Sequence, residues 1–577
     1  MMKLMKRLKP YWLSITAVLV LTFGQVIGQL YLPTLMSNII DKGVVTGDTD
    51  YIWSTGMQML LISFASVILS VIVVYLASRI SMGFGKDLRD KIFTKVEDFS
   101  LQEFDKVGTS SLITRTTNDV VQIQNVLYMM MRLMVMAPIM LLGGIIMAVG
   151  RDAKLSLIFV VVLPLLLLLV VILGGKAMPM FKSLQKKMDK LNRVIREGLT
   201  GIRVVRSFNR NEDELEKFEE ANADYATTAI KVNRLLSLMS PLMMLLMNLT
   251  SIAIVWIGSI FIGNGDMQVG DLMAFIQYAM QIMMSFMMLS AVFIMIPRAG
   301  ASAERINEVL DMNAEILNPE NPKTSAPPAK LSFDSFEHVT FRYEGAEKPV
   351  IEDITFEANA GETVAIIGST GAGKSTLINM IPRFYDVESG VVKINGIDVR
   401  EMDQSSLRQK IGLVPQKAVL FTGTIASNMR YGKEDATDEE IWAALRTAQA
   451  ENFVSKLANG LGSRVEQGGN NFSGGQKQRL SIARSLIRKP EIYIFDDSFS
   501  ALDFKTDAKL REALKAETTE AVTLIVAQRI TSVVNSDQII VMNEGKIAGI
   551  GTHEELKETN QIYQEIMRSQ LSEEEIA

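Results

Sequence analysis

A glycine-rich run, GSTGAGKS, occupies residues 368–375 and carries the clearest chemical signal in the chain. It follows the apolar segment TVAIIG and precedes STLINMI, so it lies between a predicted strand and a predicted helix, the usual setting of a phosphate-binding loop. Glycines there let backbone N–H groups surround phosphate oxygens, and a helix amino terminus favours negative charge. We expect Lys374 to reach the β- and γ-phosphates of a nucleoside triphosphate and the Ser375 hydroxyl to bind Mg²⁺. The predicted phosphate-binding residues are Gly368, Ser369, Thr370, Gly371, Ala372, Gly373, Lys374, Ser375 and Thr376.

Two adjacent acids, Asp496 and Asp497, end a second strand-like segment, EIYIFDD. In an α/β sheet the carboxyl ends of parallel strands meet at one edge, so both acids are expected beside the phosphate loop. Asp496 is the expected acid on the Mg²⁺ side of this site.

A second glycine-rich turn lies in the segment NFSGGQKQRLSIAR, where Ser473, Gly474 and Gly475 precede a predicted helix. This is another potential anion-binding helix terminus, about 100 residues beyond the first. One subunit has no need of two phosphate-binding turns. We therefore expect this turn to act on a nucleotide held by a second subunit.

The composition of the chain indicates which kinds of structural element can hold these residues in place. The chain has 577 residues, 48% of them hydrophobic, with a mean hydropathy of +0.21 and a net charge of −5. These values favour long membrane helices, exclude a disordered protein and give no indication of nucleic-acid binding. The absence of Cys excludes disulfides and thiolate sites, and the presence of only two histidines, His338 and His553, argues against a multi-histidine metal site.

Apolar segments of membrane-spanning length occur six times in the first half of the chain. The first follows basic residues as in a signal peptide, but it is too long and lacks a cleavage site, so we predict a retained helix. Lys and Arg number 24 in the amino-terminal segment and two long connections, against 3 in the short connections, so the former are predicted to be cytoplasmic. The predicted spans lie near residues 11–36, 57–78, 126–149, 155–178, 235–262 and 271–296.

Both long connections, residues 79–125 and 176–234, have helical periodicity and are predicted to continue the spans into the cytoplasm. The tips of the two helical hairpins, near Phe104–Ser111 and Phe208–Phe218, are expected to dock on a soluble domain on the same side. The alternative is a pair of solvated hairpins without a partner.

Charged side chains are rare within the predicted spans. No carboxylate lies deep in any of them, since Asp41 and Asp271 are at span ends, which weighs against proton- or ion-coupled transport. Arg132 either lines a cavity or extends to the cytoplasmic side, where it is exposed or paired. Residues 1–330 contain 30 of the 35 methionines, which suit either a binding surface for varied apolar ligands or ordinary lipid-facing and core positions.

The proline-rich segment NPENPKTSAPP, residues 318–328, ends the helical pattern. The predicted architecture is an all-α transmembrane domain of six helices with long cytoplasmic extensions, followed by an α/β P-loop domain. We place the transmembrane domain at residues 1–313, a linker at 314–330 and the nucleotide-binding domain at 331–577.

With these motifs in this order, the chain resembles an ATP-binding-cassette (ABC) exporter of the half-transporter type over essentially its whole length. The resemblance implies ATP and Mg²⁺ as ligands, with Ser375, Gln416 in VPQ, and Asp496 on the metal. It also implies that Tyr343 stacks on adenine. The segment FSGGQ is similar to the signature that acts on the partner's ATP, and Asp503 in SALD matches the loop that crosses to the other cassette. The signature residues are Phe472, with Phe in place of the usual Leu, Ser473, Gly474, Gly475 and Gln476.

Two positions depart from the family pattern. The catalytic carboxylate, normally Glu, is Asp497, whose carboxylate falls back by roughly 1–1.5 Å, and a misplacement of about 1 Å can cost on the order of 10²-fold in rate. The switch residue, normally His, is Gln528, which can donate a hydrogen bond but cannot carry positive charge. The chain's own site is therefore expected to bind ATP well and hydrolyse it poorly.

With a nearly intact signature beside a weakened catalytic pair, the chain resembles the degenerate-site subunit of bacterial heterodimeric multidrug exporters. We expect a multi-pass protein of the bacterial cytoplasmic (inner) membrane, with both termini and the ATP-binding domain in the cytoplasm, that exports small amphiphilic compounds with a second half-transporter. The alternatives are a slow homodimer, an exporter of lipid or lipid-linked substrates, and a membrane regulator that binds ATP without pumping.

Overall fold

The computed structural model describes residues 2–323 and 333–570. Residues 324–330 of the predicted linker lie outside this part of the chain. The chain separates into two units: a helical unit, Met1–Glu97 with Ser110–Met312, and an α/β unit, Asp98–Thr109 with Asn313–Ala577.

Among the residues described, the helical unit contains six continuous helical runs that are long and apolar enough to cross a membrane. They reach well beyond the predicted spans because their backbone hydrogen bonding continues through the polar connections, as the periodicity predicted. Short π-helical turns at Ile39–Val44, Arg115–Asp119 and Met130–Met134 interrupt the regular hydrogen bonding. The helices are α1 Met2–Lys6, α2 Trp12–Asn38, α3 Thr49–Glu97, α5 Thr109–Thr114, α6 Val120–Met129, α7 Val135–Arg151, α8 Leu157–Thr200, α9 Ile202–Ser207, α10 Asn211–Ser237, α11 Met239–Gly263 and α12 Val269–Asp311, with α4 in the other unit.

Helix α7 packs closely against α2 and α12 because two glycines remove side-chain bulk at the contact. A Cβ atom on Gly143 would lie 2.5 Å from Leu30 Cδ1, and one on Gly144 would lie 2.8 Å from Ile282 Cγ1. Such small-residue contacts are the usual means of close helix approach in membranes. The fully buried Tyr278 of α12 satisfies its hydroxyl by donating to Leu30 O at 3.1 Å.

At one end of this unit, charged groups from three segments form a cluster. Arg151 Nη1 donates to Asp271 Oδ1 at 2.7 Å, and Asp41 Oδ1 accepts from the N–H of Gly270 at 2.7 Å. Both acids are therefore hydrogen-bonded, which is required of carboxylates removed from water.

The α/β unit contains a six-stranded sheet in the order β12-β11-β3-β10-β9-β6 and a four-stranded antiparallel sheet in the order β2-β1-β4-β5. In the larger sheet all neighbours are parallel except the edge pair β11–β12. The strands are β1 Phe333–Phe341, β2 Ile351–Asn359, β3 Thr363–Gly368, β4 Ser389–Ile394, β5 Ile397–Asp398, β6 Ile411–Val414, β7 Gly423–Thr424, β8 Arg464–Val465, β9 Ile492–Asp496, β10 Val522–Val526, β11 Gln538–Asn543 and β12 Lys546–Gly551.

The central strands β3 and β10 are buried almost throughout, as continuous apolar runs must be when helices cover both faces of a parallel sheet. Because β9 and β10 pair in parallel with Asp496 opposite Val526, the carboxyl ends of β3, β9 and β10 lie side by side. The helices are α4 Leu101–Val107, α13 Lys374–Met380, α14 Gln404–Gln409, α15 Ile425–Arg430, α16 Asp438–Thr447, α17 Glu451–Val454, α18 Gly474–Leu486, α19 Phe504–Glu517, α20 His553–Thr559 and α21 Gln561–Gln570.

The first hairpin tip, helix α4, belongs to the α/β unit, so docking of this tip is confirmed. Tyr385 Oη donates to Asp105 Oδ2 at 3.2 Å, and Lys106 pairs with Glu344 at 3.1 Å. Glu103 is buried and accepts from the N–H groups of Ser100 at 2.7 Å and Glu315 at 2.9 Å. At the second tip Phe208 is 73% exposed, and docking there stays a prediction.

The buried Glu103 carboxylate is ionised in these contacts. Burial by itself raises the pKa of Glu103, but the hydrogen bonds it accepts from Ser100 and from the Glu315 N–H outweigh that effect and lower the pKa. A charged, fully hydrogen-bonded carboxylate thus joins α4 to the segment after Met312.

The start of the predicted linker runs along the α/β unit without helix or strand. Arg383 Nη1 donates to Leu317 O at 3.2 Å, and Gln404 Nε2 donates to Ile316 O at 3.2 Å. Further along, the Lys323 N–H donates to Glu401 O at 2.8 Å. Hydrogen bonds to its backbone groups therefore hold this segment on the α/β unit as far as Lys323.

Candidate functional site

The glycine-rich loop connects β3 to α13, as predicted. Gly371 and Gly373 have φ values of +84° and +92°, which glycine adopts without strain, and a Cβ atom on Gly373 would lie 2.7 Å from Ile351 Cγ2. Lys374 Nζ donates to Gly368 O at 2.8 Å and to Ser369 O at 2.7 Å. The loop therefore brings its lysine ammonium against its own backbone, inside the cavity that the loop borders.

That cavity has a volume of about 270 Å³ and is open to solvent. It brings together half of the predicted site residues, from the carboxyl ends of β3, β9 and β10 and from the segment after β6. Its lining residues are Val350, Thr370, Gly371, Gly373, Lys374, Ser375, Thr376, Gln416, Asp496, Asp497, Val526 and Gln528.

One side of the cavity combines a lysine, a hydroxyl and an acid. Ser375 Oγ donates to Asp496 Oδ1 at 3.2 Å. Burial raises the pKa of Asp496, and the Asp497 charge adds to this effect, whereas Ser375 and Lys374 oppose it. Burial lowers the pKa of Lys374, although both acids counteract it.

The donor atoms of this side fit Mg²⁺. Ser375, Gln416 and Asp496 offer a hydroxyl, an amide and a carboxylate oxygen, and Mg²⁺ is commonly held by one or two carboxylates together with substrate phosphates. Across residues 2–323 and 333–570 no group of three or more His, Cys, Asp or Glu side chains could hold a metal by itself.

The other side of the cavity contains the two positions that depart from the family pattern. Gln528 Nε2 donates to Asp497 Oδ2 at 3.0 Å, and Gln416 Nε2 donates to the same oxygen at 3.2 Å. Asp497 has a φ of +47°, a region that Asp tolerates better than most side chains, and its N–H donates to Val526 O at 2.9 Å. The carboxylate is thus held by two neutral amides, and among the described residues no histidine hydrogen-bonds to it.

The loop that carries Gln528 is held by the last described residue of the carboxyl-terminal helix. Gln570 Nε2 donates to Gln528 O at 2.7 Å, and the Ile530 N–H donates to Gln570 Oε1 at 2.8 Å. The sequence reasoning missed Gln570, because it belongs to no motif and lies 42 positions from Gln528. Only the fold brings the two together.

The signature segment forms the start of α18. Ser473 caps this helix in a capping box, with its N–H donating to Gln476 Oε1 at 2.9 Å. Phe472 is buried against Phe453, so the larger ring at the usual Leu position is accommodated in the core. Gly475 lies close to the following loop, because a Cβ atom on it would be 3.1 Å from Ala501 O.

Several predicted residues do not line the phosphate-loop cavity. Tyr343 lies beside the loop, with its hydroxyl 3.0 Å from Thr376 Oγ1 and its ring against Phe341 and Tyr385. Asp503 caps α19 by accepting from the Thr506 N–H at 3.0 Å. The other predicted residues outside the lining are Gly368, Ser369, Ala372, Phe472, Ser473, Gly474, Gly475 and Gln476.

Comparison with known proteins assigns this architecture to a family. The profile for the ABC transporter transmembrane region matches residues 15–286, and the ABC transporter profile matches residues 351–500. An uncharacterized ABC transporter ATP-binding protein of Mycobacterium tuberculosis (strain CDC 1551 / Oshkosh) is 43% identical over 98% of this chain and 97% of its own length. A fatty acid ABC transporter ATP-binding/permease protein of Mycobacterium bovis is 33% identical over 84% of this chain and 76% of its own length.

A solved structure of a bacterial Atm1-family ABC exporter with ATP bound matches with a TM-score of 0.79 and 25% identity, covering 98% of this chain and 100% of that chain. Fold and site together define an ATP-hydrolysing membrane transporter. The chain belongs to the ABC transporter family, as an exporter-type half-transporter with one transmembrane region and one ABC ATPase domain. The predicted fold class is confirmed, and the ATPase domain implies ATP as its ligand.

Proposed function

We propose that this chain is the weakly hydrolysing subunit of a heterodimeric exporter that moves small amphiphilic compounds, drugs among them, out of a bacterial cell. The chain would span the cytoplasmic membrane, with its ATP-binding domain in the cytoplasm. The observation that carries this proposal is the catalytic pair: Asp497, a short carboxylate, contacts the neutral amide of Gln528 at 3.0 Å.

In this proposal ATP binds through the side of the cavity that contains Lys374, Ser375 and Asp496. Lys374 and the loop N–H groups would hold the phosphates, and Ser375, Gln416 and Asp496 would hold Mg²⁺. When bound, the metal neutralises phosphate charge. Tyr343, whose hydroxyl lies 3.0 Å from Thr376 Oγ1, would stack on adenine.

Hydrolysis at this site is limited by two properties of its residues. The Asp497 carboxylate is one methylene short of the position of a Glu, and such a shift is expected to cost on the order of 10²-fold in rate. Gln528 can donate a hydrogen bond to a phosphate oxygen, but it cannot develop the positive charge of an imidazolium in the transition state. One of its donors already contacts Asp497.

The nearly intact signature supports a partner with a better catalytic pair. In that arrangement Ser473, Gly475 and Gln476 would complete the ATP site of a second half-transporter, which would supply the Glu and the His absent here. ATP retained at this chain's own site would favour the closed state of the two cassettes and act as a biasing ligand. Helix α4 would transmit that closure to the membrane helices.

The test is to purify the chain alone, a candidate partner half-transporter alone, and the two co-expressed. Each preparation is assayed for ATPase activity and for ATP-dependent dye uptake into inside-out vesicles. We expect hydrolysis and uptake only when both chains are present. Full activity of the chain alone would establish the homodimer, and ATP binding without uptake in any preparation would establish the regulator.

A second candidate function is export of lipid-like substrates. It is favoured by the 33% identical relative that is named a fatty acid ABC transporter. The compounds that stimulate the ATPase of the reconstituted complex distinguish the two: cationic drugs for the first candidate, and fatty acids or lipids for the second.

A further inference from the structure

Two arginines bracket the apolar part of the third membrane-crossing helix. Arg132 and Arg151 are separated by 18 uncharged residues, about 27 Å of helix, which is close to the hydrocarbon thickness of about 30 Å. With the predicted cytoplasmic amino terminus, Arg132 lies at the inner boundary of the bilayer and Arg151 at the outer boundary.

The two guanidinium groups differ in their partners. Arg151 pairs with Asp271 at 2.7 Å, and both side chains are largely removed from solvent. Arg132 is exposed, and Nη1 donates to Tyr128 Oη at 3.3 Å. No carboxylate of the described residues pairs with Arg132, so most of its five N–H donors are free to bind an anion.

The backbone at Arg132 is also irregular. The residue is at the centre of the π-helical turn Met130–Met134, and such turns in α-helices are frequent at functional sites. Methionines occupy three of the five positions of the turn, and their flexible side chains adapt to varied apolar groups. The guanidinium is thus surrounded in sequence by adaptable apolar side chains.

An apolar groove begins seven residues beyond Arg132, or about 10 Å along the helix. It has a volume of about 410 Å³, lies between α2 and α7 and is open, since Leu142 and Ile146 are 61% and 69% exposed. Its lining residues are Phe23, Ile27, Leu30, Tyr31, Ile139, Leu142, Gly143, Ile146 and Met147.

We propose that Arg132 and this groove bind a single-chain amphiphile with an anionic head of the fatty-acid type. The carboxylate would accept two hydrogen bonds from the guanidinium, a geometry that suits Arg better than Lys. The acyl chain would lie along the groove towards Met147. This inference rests on the proposed export function and specifies, for its lipid-like candidate, a substrate with an anionic head group, because an unpaired guanidinium attracts an anion and repels a cation.

The test measures binding of palmitate, hexadecanol and hexadecyltrimethylammonium to the full-length chain in nanodiscs. We expect palmitate to bind most tightly. Arg132→Gln should weaken palmitate binding about tenfold and leave hexadecanol unchanged, because it removes a charge-assisted contact. Arg132→Lys should give an intermediate loss.

Arg79→Gln is the matched control, since Arg79 is an exposed arginine on α3 and its loss changes the net charge equally. It should leave palmitate affinity unchanged. Equal binding of palmitate and hexadecanol to the wild-type chain, or equal weakening of both by Arg132→Gln, would overturn the proposal.

A second variant tests the groove. Leu142→Trp should fill the groove and weaken palmitate binding several-fold. Octanoate binding should keep its affinity, because its acyl chain is too short to depend on the groove. Equal effects on both acids would contradict the placement of the acyl chain. If palmitate binding does not depend on Arg132 in these assays but the heterodimer still transports a cationic dye, this inference fails and the proposed export function stands.

Discussion

The two sides of the nucleotide cavity differ in completeness. On one side Lys374, Ser375 and Asp496 offer the positive charge, hydroxyl and carboxylate that a magnesium triphosphate requires. On the other side the Asp497 carboxylate accepts hydrogen bonds from the neutral amides of Gln416 and Gln528. Under the proposed function, this contrast means that binding and cleavage of a nucleotide depend on different residues of one fold, so that cleavage would weaken while binding persists.

The largest effect is expected where this chain would serve its partner's ATP. Gly475→Glu places a carboxylate at the amino terminus of α18, where it would repel the γ-phosphate of the partner's nucleotide. We expect ATPase activity of the heterodimer to fall by about 10²-fold or more, as when an electrostatic contact to the transition state is lost.

Gly475→Ala is the control, because its Cβ meets the same Ala501 oxygen at 3.1 Å without adding charge. It should retain much of the activity. Undiminished turnover in the Gly475→Glu complex would show that the signature does not act in trans.

Restoring the family residues should remove the contrast between the two sides. Asp497→Glu with Gln528→His is expected to raise hydrolysis at this chain's site by about 10²-fold, because the carboxylate advances by about one methylene and an ionisable ring returns. The measurement is ATPase activity of a heterodimer whose partner has its own catalytic Glu replaced by Gln. Unchanged turnover would mean that these two positions do not limit the site.

Loss of the Gln570 contact should have a smaller effect. Gln570→Ala removes two hydrogen bonds to the loop of Gln528, at 2.7 and 2.8 Å, and a net contribution of about 1 kcal/mol corresponds to roughly a fivefold fall in turnover of the restored site. ATP affinity should be unchanged, which a merely unfolded variant would not give. Gln564→Ala is the control, because that side chain contacts Lys557 O of its own helical region. Equal effects of both substitutions would contradict a positioning role.

The smallest effect concerns the docking of α4. Because the pKa of Glu103 is lowered in the folded chain, its stabilisation is complete above the ordinary value of 4.5 and is lost as the pH falls through the folded value. Glu103→Gln should lower stability by about 1 kcal/mol at neutral pH, and the difference from wild type should narrow in acid.

Thermal unfolding of the full-length chain at several pH values measures this effect. Glu555→Gln, in the exposed capping box of α20, is the control and should change stability less. A difference that grows in acid would refute the assignment.

How far the sequence predicts this molecule depends on the range of each interaction. The phosphate loop was predictable because its strand, glycines and helix are contiguous, and the six spans were predictable from hydropathy. The span ends were not, since hydropathy marks where lipid replaces water, whereas α3 continues to Glu97 by backbone hydrogen bonding. The role of Gln570 was not predictable either. Its partner Gln528 is remote in sequence, and the Gln570 side chain contacts only backbone groups of the Gln528 loop in these two hydrogen bonds.

The central claim is that this polypeptide holds ATP firmly and cleaves it slowly. The most direct measurement is paired: equilibrium binding of ATP to the purified chain without any partner, and its steady-state turnover under the same conditions. The account predicts saturable binding with turnover about 10²-fold below that of the heterodimer. Turnover by the solitary chain as fast as that of the heterodimer would contradict it.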